Sequence, residues 1–218
     1  MVSMGLEIEK GEALKIAGFL WLLAIITALS TFIWFWIYTF TGFFPNYNSI
    51  LYWFLMIARN IIWIVALWFT WIGLSEIEDT LKYGVLIAIL GWILYAVWLI
   101  QNSLVAFKIL TRYIFLIDIL GLTGHALLTI GYILLIGNLY SISQFFGDNS
   151  MKIGVFLLFF YVMRFLGGLM IYTVIIFGIP TWGLLFGLMV FSYLICVIIA
   201  TIGIILVSIA CMHLAEAV

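Results

Sequence analysis

Six long apolar runs, at 16–40, 50–73, 84–107, 113–138, 153–177 and 183–212, decide most of what this chain can become. Each exceeds the roughly 20 residues that an α-helix needs to cross the hydrocarbon core of a bilayer. Only short polar breaks separate them: 41–49, 74–83, 108–112, a segment around Gly147-Asp148-Asn149-Ser150, and 178–182. Within lipid every backbone N–H and C=O must find a partner in the protein, which leaves helices and closed barrels. Barrel strands alternate polar and apolar residues over about ten positions, and no run here alternates. The expected fold is all-α, an integral membrane bundle of six transmembrane helices forming one transmembrane domain over 1–218.

Composition supports this. Hydrophobic residues make up 68% of the chain and charged residues 8%, against roughly 25% charged in a soluble domain. So few polar side chains cannot cover a soluble globule, so the apolar surface is expected to face lipid. The net charge is −1 and Lys and Arg form no run, which gives no electrostatic footprint for a nucleic acid. The start carries Glu7, Glu9 and Glu12, unlike the positive n-region of a cleaved signal, so the first run is expected to stay as a span. Cys196 and Cys211 share one run at about 22 Å along a helix, too far to pair.

The runs invite division into three two-helix hairpins. Lys15-Ile16-Ala17-Gly18, Lys82-Tyr83-Gly84 and Lys152-Ile153-Gly154 open the first, third and fifth runs, with the lysines 67 and then 70 positions apart. The only prolines, Pro45 and Pro180, fall in matching turns, where the middle hairpin has Thr111. Trp71-Ile72-Gly73 and Leu135-Ile136-Gly137 rhyme near the ends of the second and fourth runs. The positive-inside rule sets Lys10, Lys15, Lys82 and Lys152 against Lys108 and Arg112, so both termini are expected in the cytoplasm. Trp34, Trp36, Tyr38, Tyr52, Trp53 and Trp182 would then form an outer interfacial belt.

Charged groups inside a span are expensive and are therefore the first candidates for function. Three qualify: Arg59, Asp118 and Arg164. Arg59 lies about 13 Å and Asp118 about 8 Å from the outer ends of their spans, with Gln101 and Asn102 near the same depth. Arg59, Gln101, Asn102 and Asp118 could thus share a polar layer, with an Arg59–Asp118 pair either fixing helix packing or serving a solute. A second polar face combines His125 and Tyr132, which follow Asp118 at steps of seven, with Tyr161 and Arg164 of span five. A proton relay through Asp118, His125 and a tyrosine competes there with a neutral histidine bonded to a neighbouring hydroxyl.

No motif calls for a cofactor or metal. There is no Cys-x-x-Cys, phosphate-binding loop, His-Glu-x-x-His or nucleophile elbow. A haem would need axial ligands at one depth, and the two histidines, His125 and His213, lie far apart along their spans. Small residues mark helix contacts at Gly183 and Gly187, at Ala24 and Ala28, and at Gly167-Gly168. Three hairpins bring mitochondrial carriers to mind, but neither proline is followed by their Pro-x-acid-x-x-base pattern.

Ala24-Ile25-Ile26-Thr27-Ala28 is similar to the Ala-x-x-x-Ala by which vitamin-uptake S-components dock their transport partner. Ile136-Gly137-Asn138-Leu139-Tyr140, followed by Lys152-Ile153-Gly154, resembles uncharacterised archaeal polytopic membrane proteins, which lend no catalytic residue. The leading expectation is a non-enzymatic structural or accessory subunit of a larger membrane assembly, with partner membrane subunits or a second copy of itself. A small-solute or ion transport component built on the Arg59 layer stands second, and an electron-transfer subunit third.

Overall fold

The computed structural model describes the backbone of residues 9–40, 50–74, 78, 80–106, 115–176 and 183–216. It describes the side chains of 9–30, 54–74, 78, 80–101, 104, 119–163, 166–167, 192 and 195–216. The described residues form helices and no strands: α1 (Lys10–Phe40), α2 (Ile50–Leu74), α3 (Leu81–Ala106), α4 (Phe115–Phe146), α5 (Asn149–Ile176) and α6 (Gly183–Leu214). Among these residues five stretches are long and apolar enough to cross a membrane: Lys10–Ser30, Phe54–Leu74, Leu81–Gln101, Ile119–Phe146 and Ile195–Leu214. The corresponding stretch of α5, Asn149–Met163, is apolar and shorter.

Helices outrun the apolar runs that announce them, α1 and α4 by the most. α1 begins at Lys10 rather than 16, and α4 continues to Phe146 rather than 138. Backbone hydrogen bonding does not stop where apolar residues stop, so polar turns continue a helix beyond its hydrophobic stretch. What ends α4 is chemistry at the turn. Gly147 adopts φ 69°, a left-handed conformation that closes a helix and that glycine enters without a Cβ clash. Asp148 then caps α5, its Oδ1 accepting from the Met151 N–H at 3.0 Å.

Each helix packs against its neighbours in sequence, and α6 closes back on α1, so the six form a ring. Contact is densest within the pairs α1–α2, α3–α4 and α5–α6. Glycines set the closest crossings. A Cβ at Gly84 would stand 2.8 Å from the Leu135 nitrogen and 3.2 Å from the Gly131 oxygen. A Cβ at Gly154 would stand 3.0 Å from both the Gly203 oxygen and the Val207 nitrogen. At the ring closure a Cβ at Gly11 would meet the Ala215 oxygen at 2.9 Å, and one at Gly18 the Ser208 oxygen at 2.8 Å. The start of α1 and the end of α6 therefore lie at one end of the bundle, called here the terminal end.

Phe19, Ile26, Phe54, Ile61, Leu86, Ile133, Phe156 and Ile202 stay exposed on the outside of the ring. Large apolar side chains on the outside and inside alike are what a helix between lipid and an apolar core requires. Ala24 is fully buried in the core and Ala28 half-buried. The Ala-x-x-x-Ala stripe thus turns toward the ring rather than offering a docking face to lipid.

Candidate functional site

The centre of the ring is filled by aromatic side chains. Trp63 of α2 lies between two rings: it stacks on Trp92 of α3 (5.7 Å, 20° between planes) and on Tyr161 of α5 (5.1 Å, 22°). Trp21 of α1 meets it edge-on at 4.9 Å, and Tyr132 of α4 approaches at 6.3 Å. Tyr132 also contacts Tyr161 at 5.3 Å. Five helices thus contribute to one buried floor. Its rigid rings carry large contact area, and edge-to-face and offset pairs are favoured geometries.

On the terminal side of this floor polar groups are paired. The Trp21 indole N–H donates to Thr70 Oγ1 at 3.0 Å, and that hydroxyl donates onward to the Ala66 carbonyl at 2.8 Å. Ser143 donates to the Tyr140 carbonyl and Ser208 to the Ile204 carbonyl. Within the floor the Trp92 N–H donates to the Tyr132 hydroxyl at 3.3 Å. Thr129 donates to the His125 carbonyl at 2.9 Å.

Beyond the floor, away from the termini, the pattern changes. Asn60 is 1% exposed, and neither its Nδ2 nor its Oδ1 has a hydrogen-bond partner. Gln101 is 3% exposed, and its Nε2 and Oε1 also have none. The Trp63 Nε1 hydrogen has no acceptor. Arg59 is buried and engaged with other groups, although its Nε lacks an acceptor. These residues hold all the unpartnered buried side-chain atoms among the described residues. Burying an amide without a hydrogen bond costs about 1–3 kcal/mol in proteins, so their concentration in one half of one bundle is a property to be explained.

Helix register sets their heights. Trp63 and Trp92 stack at one level of the antiparallel α2–α3 pair. Asn60 stands about 4.5 Å beyond Trp63, and Gln101 about 13.5 Å beyond Trp92, each at 1.5 Å per residue. Positions 60 and 101 are therefore offset by about 9 Å along the bundle axis. Tyr95, one turn beyond Trp92, shares the Asn60 level. It stacks on Trp98 (5.5 Å, 25°) and meets the His125 ring edge-on at 4.9 Å.

His125 is buried, and its Nδ1 lies 3.0 Å from the Gly121 carbonyl of its own helix. A carbonyl only accepts, so Nδ1 carries the hydrogen in this bond. His125 and Tyr132 do share a buried face of α4, and Tyr161 of α5 is buried against Tyr132.

The side chains of Asn102, Asp118 and Arg164 lie outside the described residues, as do the belt residues Trp34, Trp36, Tyr38, Tyr52, Trp53 and Trp182. The α3–α4 crossing, with Trp98 against Gly121, continued by one turn puts position 118 at the level of position 101. Asn60 and the tryptophans of the floor are additions to the sequence reading. Asn60 sits beside the more conspicuous Arg59, but it begins the buried stripe Asn60, Trp63, Leu67, Thr70, Leu74, whose three- and four-residue steps were legible. No group of three or more His, Cys, Asp or Glu able to hold a metal occurs among the described residues. Cys196 and Cys211 are both free thiols. No protein-family model, curated protein or solved structure matches the chain.

Proposed function

We propose that this chain is a six-span, non-enzymatic membrane protein that binds a small solute inside its helix ring and acts as a transport component. One observation carries the reading: buried polar side chains are partnered on the terminal side of the aromatic floor, while the Trp63 N–H within the floor and Asn60 and Gln101 beyond it are not. A purely structural core has little reason to bury two whole carboxamides unsatisfied. A chamber that exchanges its own hydrogen bonds for those of a guest does. Both termini are cytoplasmic in this reading, supported by the lysines of the terminal end, Lys10, Lys15, Lys82 and Lys152.

The chamber is enclosed by three repeats of a two-helix hairpin. Leu14, Leu81 and Met151, each just before the matching lysine, are all fully buried. The Gly84 crossing with Gly131 and Leu135 has the same form as the Gly154 crossing with Gly203 and Val207. That correspondence pairs position 135 with 207 and 131 with 203. It extends to Leu67, Tyr132 and Ile204, which are all buried. The rhyme of Trp71-Ile72-Gly73 with Leu135-Ile136-Gly137 is one residue out of this register, which pairs 70 with 135. In hairpin one, Ala17 and Ala66 take the glycine positions.

The accessory-subunit reading ranks second. Its support is that Gly137 and Gly167 have nothing within 4 Å of an added Cβ, so another helix could approach closely there. Co-purification of stable partners in mild detergent would favour it. The test of the chamber is thermal melting of the purified protein with Asn60→Leu and Gln101→Leu. If both polar groups await a guest, removing them from the solute-free protein leaves its melting temperature unchanged or raised. A clear fall in both variants would mean that the amides hold the bundle together, and would end the solute-binding reading.

A further inference from the structure

The groups beyond the floor have a chemistry that selects among solutes. Asn60 and Gln101 are carboxamides, each with two N–H donors beside a carbonyl acceptor, and the Trp63 indole adds a donor. None of the three is charged, and the neighbouring Arg59 is buried with interactions of its own. A carboxylate or phosphate ligand could use the donors but would leave the amide oxygens Oδ1 and Oε1 facing negative charge. An ammonium ion would do the reverse, leaving the N–H groups of Asn60, Gln101 and Trp63 unmatched. The ligand that satisfies a carboxamide fully presents an acceptor and a donor side by side, so that two parallel hydrogen bonds form. Asn and Gln read the edge of adenine in this way.

Shape narrows the class further. Both faces of Trp63 are covered, by Trp92 and Tyr161, so a guest meets the edge of that ring, where its N–H points. Tyr95 and Trp98 form a stacked, half-buried pair beginning at the Asn60 level. Positions 60 and 101 are offset by about 9 Å along the axis. That span suits one small ring with a hydrogen bond of about 2.9 Å at each end, and it is too short for an extended chain.

We propose that the site takes a small, neutral heterocycle with amide-like edges, of the lactam or nucleobase class, bridging Asn60 and Gln101. This rests on the solute-binding reading above. The full-length protein in nanodiscs is titrated with uracil, adenine and 2-pyrrolidone, with tryptophan fluorescence as the signal. Uracil should give a saturable change. 1,3-Dimethyluracil, which keeps the shape and loses the N–H donors, should bind at least about tenfold more weakly. Asn60→Leu and Gln101→Leu should each weaken uracil binding by about tenfold or more. Sodium benzoate serves as the anionic control and should give no saturable change.

The proposal is overturned if none of the three heterocycles gives saturation, if dimethyluracil matches uracil, or if benzoate binds as well as uracil. The melting experiment separates this failure from the deeper one. Leucine variants that keep their stability in a protein blind to all three heterocycles would discard the ligand class and keep the chamber. Leucine variants that unfold early would discard both.

Discussion

Replacing Gly203 by alanine should destabilise the bundle while the same replacement at Gly137 should not, although both glycines lie inside long helices. A Cβ at Gly203 would stand 2.8 Å from the Leu157 Cβ, 2.9 Å from the Gly154 oxygen and 2.9 Å from the Leu158 nitrogen. Two of those three atoms are backbone and cannot rotate away. A relaxed carbon–oxygen contact is about 3.3 Å or more, so α5 and α6 must part by a few tenths of an ångström along their whole crossing. Overpacking of this kind costs about 1–3 kcal/mol. Gly137 has nothing within 4 Å of an added Cβ, so alanine there brings only its helix preference, up to about 1 kcal/mol in favour. The same preference offsets part of the penalty at 203. The two variants should therefore differ by about 1–3 kcal/mol in reversible unfolding from mixed micelles, with Gly203→Ala the weaker. Gly131→Ala should behave like Gly203→Ala, because its Cβ would meet the Ala88 nitrogen at 2.5 Å. Equal stability of Gly203→Ala and Gly137→Ala would refute the close glycine crossing as a source of stability.

Thr70→Val keeps the shape of the side chain but strands the buried Trp21 N–H. It should cost about 1–3 kcal/mol, and adding Trp21→Phe should return part of that loss in the same unfolding assay. In a background without Cys196 and Cys211, a cysteine placed at Asn48 should react with an impermeant maleimide from outside intact cells, and one at Asp148 should not. The reverse labelling would invert the proposed orientation. If Arg59 and Asp118 form the pair that their depths permit, Asp118→Asn should lower stability, and Arg59→Gln added to it should recover part of the loss. Strictly additive effects in that double-mutant cycle would show that the two do not interact.

Much of the fold was legible because it follows from length alone. A run of more than 20 apolar residues has few options, and the positions of all six helices could be read from that. The inward face was harder to read because apolar side chains occupy both sides of each helix: Leu67 is buried and Trp68 exposed, yet both are strongly apolar. Only residues that differ in kind mark the interior. His125 and Tyr132, at a step of seven, were such a mark, and so was Arg59. Trp21, Trp63 and Trp92 were not, since tryptophan is common at the membrane interface and nothing in the local sequence separates an interfacial indole from a central one. Asn60 escaped notice beside Arg59 because a charge inside a span is the stronger signal, yet it is the carboxamide that has no partner. Pro45 and Pro180, which helped to frame the hairpins, lie outside the described residues.

The aromatic floor constrains how a transport component of this design could work. A solute at the Asn60 level is separated from the terminal end by Trp63 and the rings stacked on it, and below them by the paired, tightly packed half of the bundle. Passage to that end requires Trp63 to leave the stack, and Trp63 is carried by hairpin one. The junctions that join hairpin one to the rest, α2–α3 and α1–α6, are the most sparsely packed in the ring. In the register of the proposed repeat, hairpin one has Ala17 and Ala66 where hairpins two and three have Gly84 with Gly131 and Gly154 with Gly203. Opening α3–α4 or α5–α6 would break glycine-mediated backbone contacts of many atoms at once. Swinging α1–α2 away as a unit would preserve its Trp21–Thr70 bond, and would give up the ring contacts of Trp63 together with the α1–α6 crossings of Gly11 on Ala215 and Gly18 on Ser208. An opening of this kind would move Asn60 and Trp63 together and away from Gln101, which would separate the two carboxamides proposed to hold the solute.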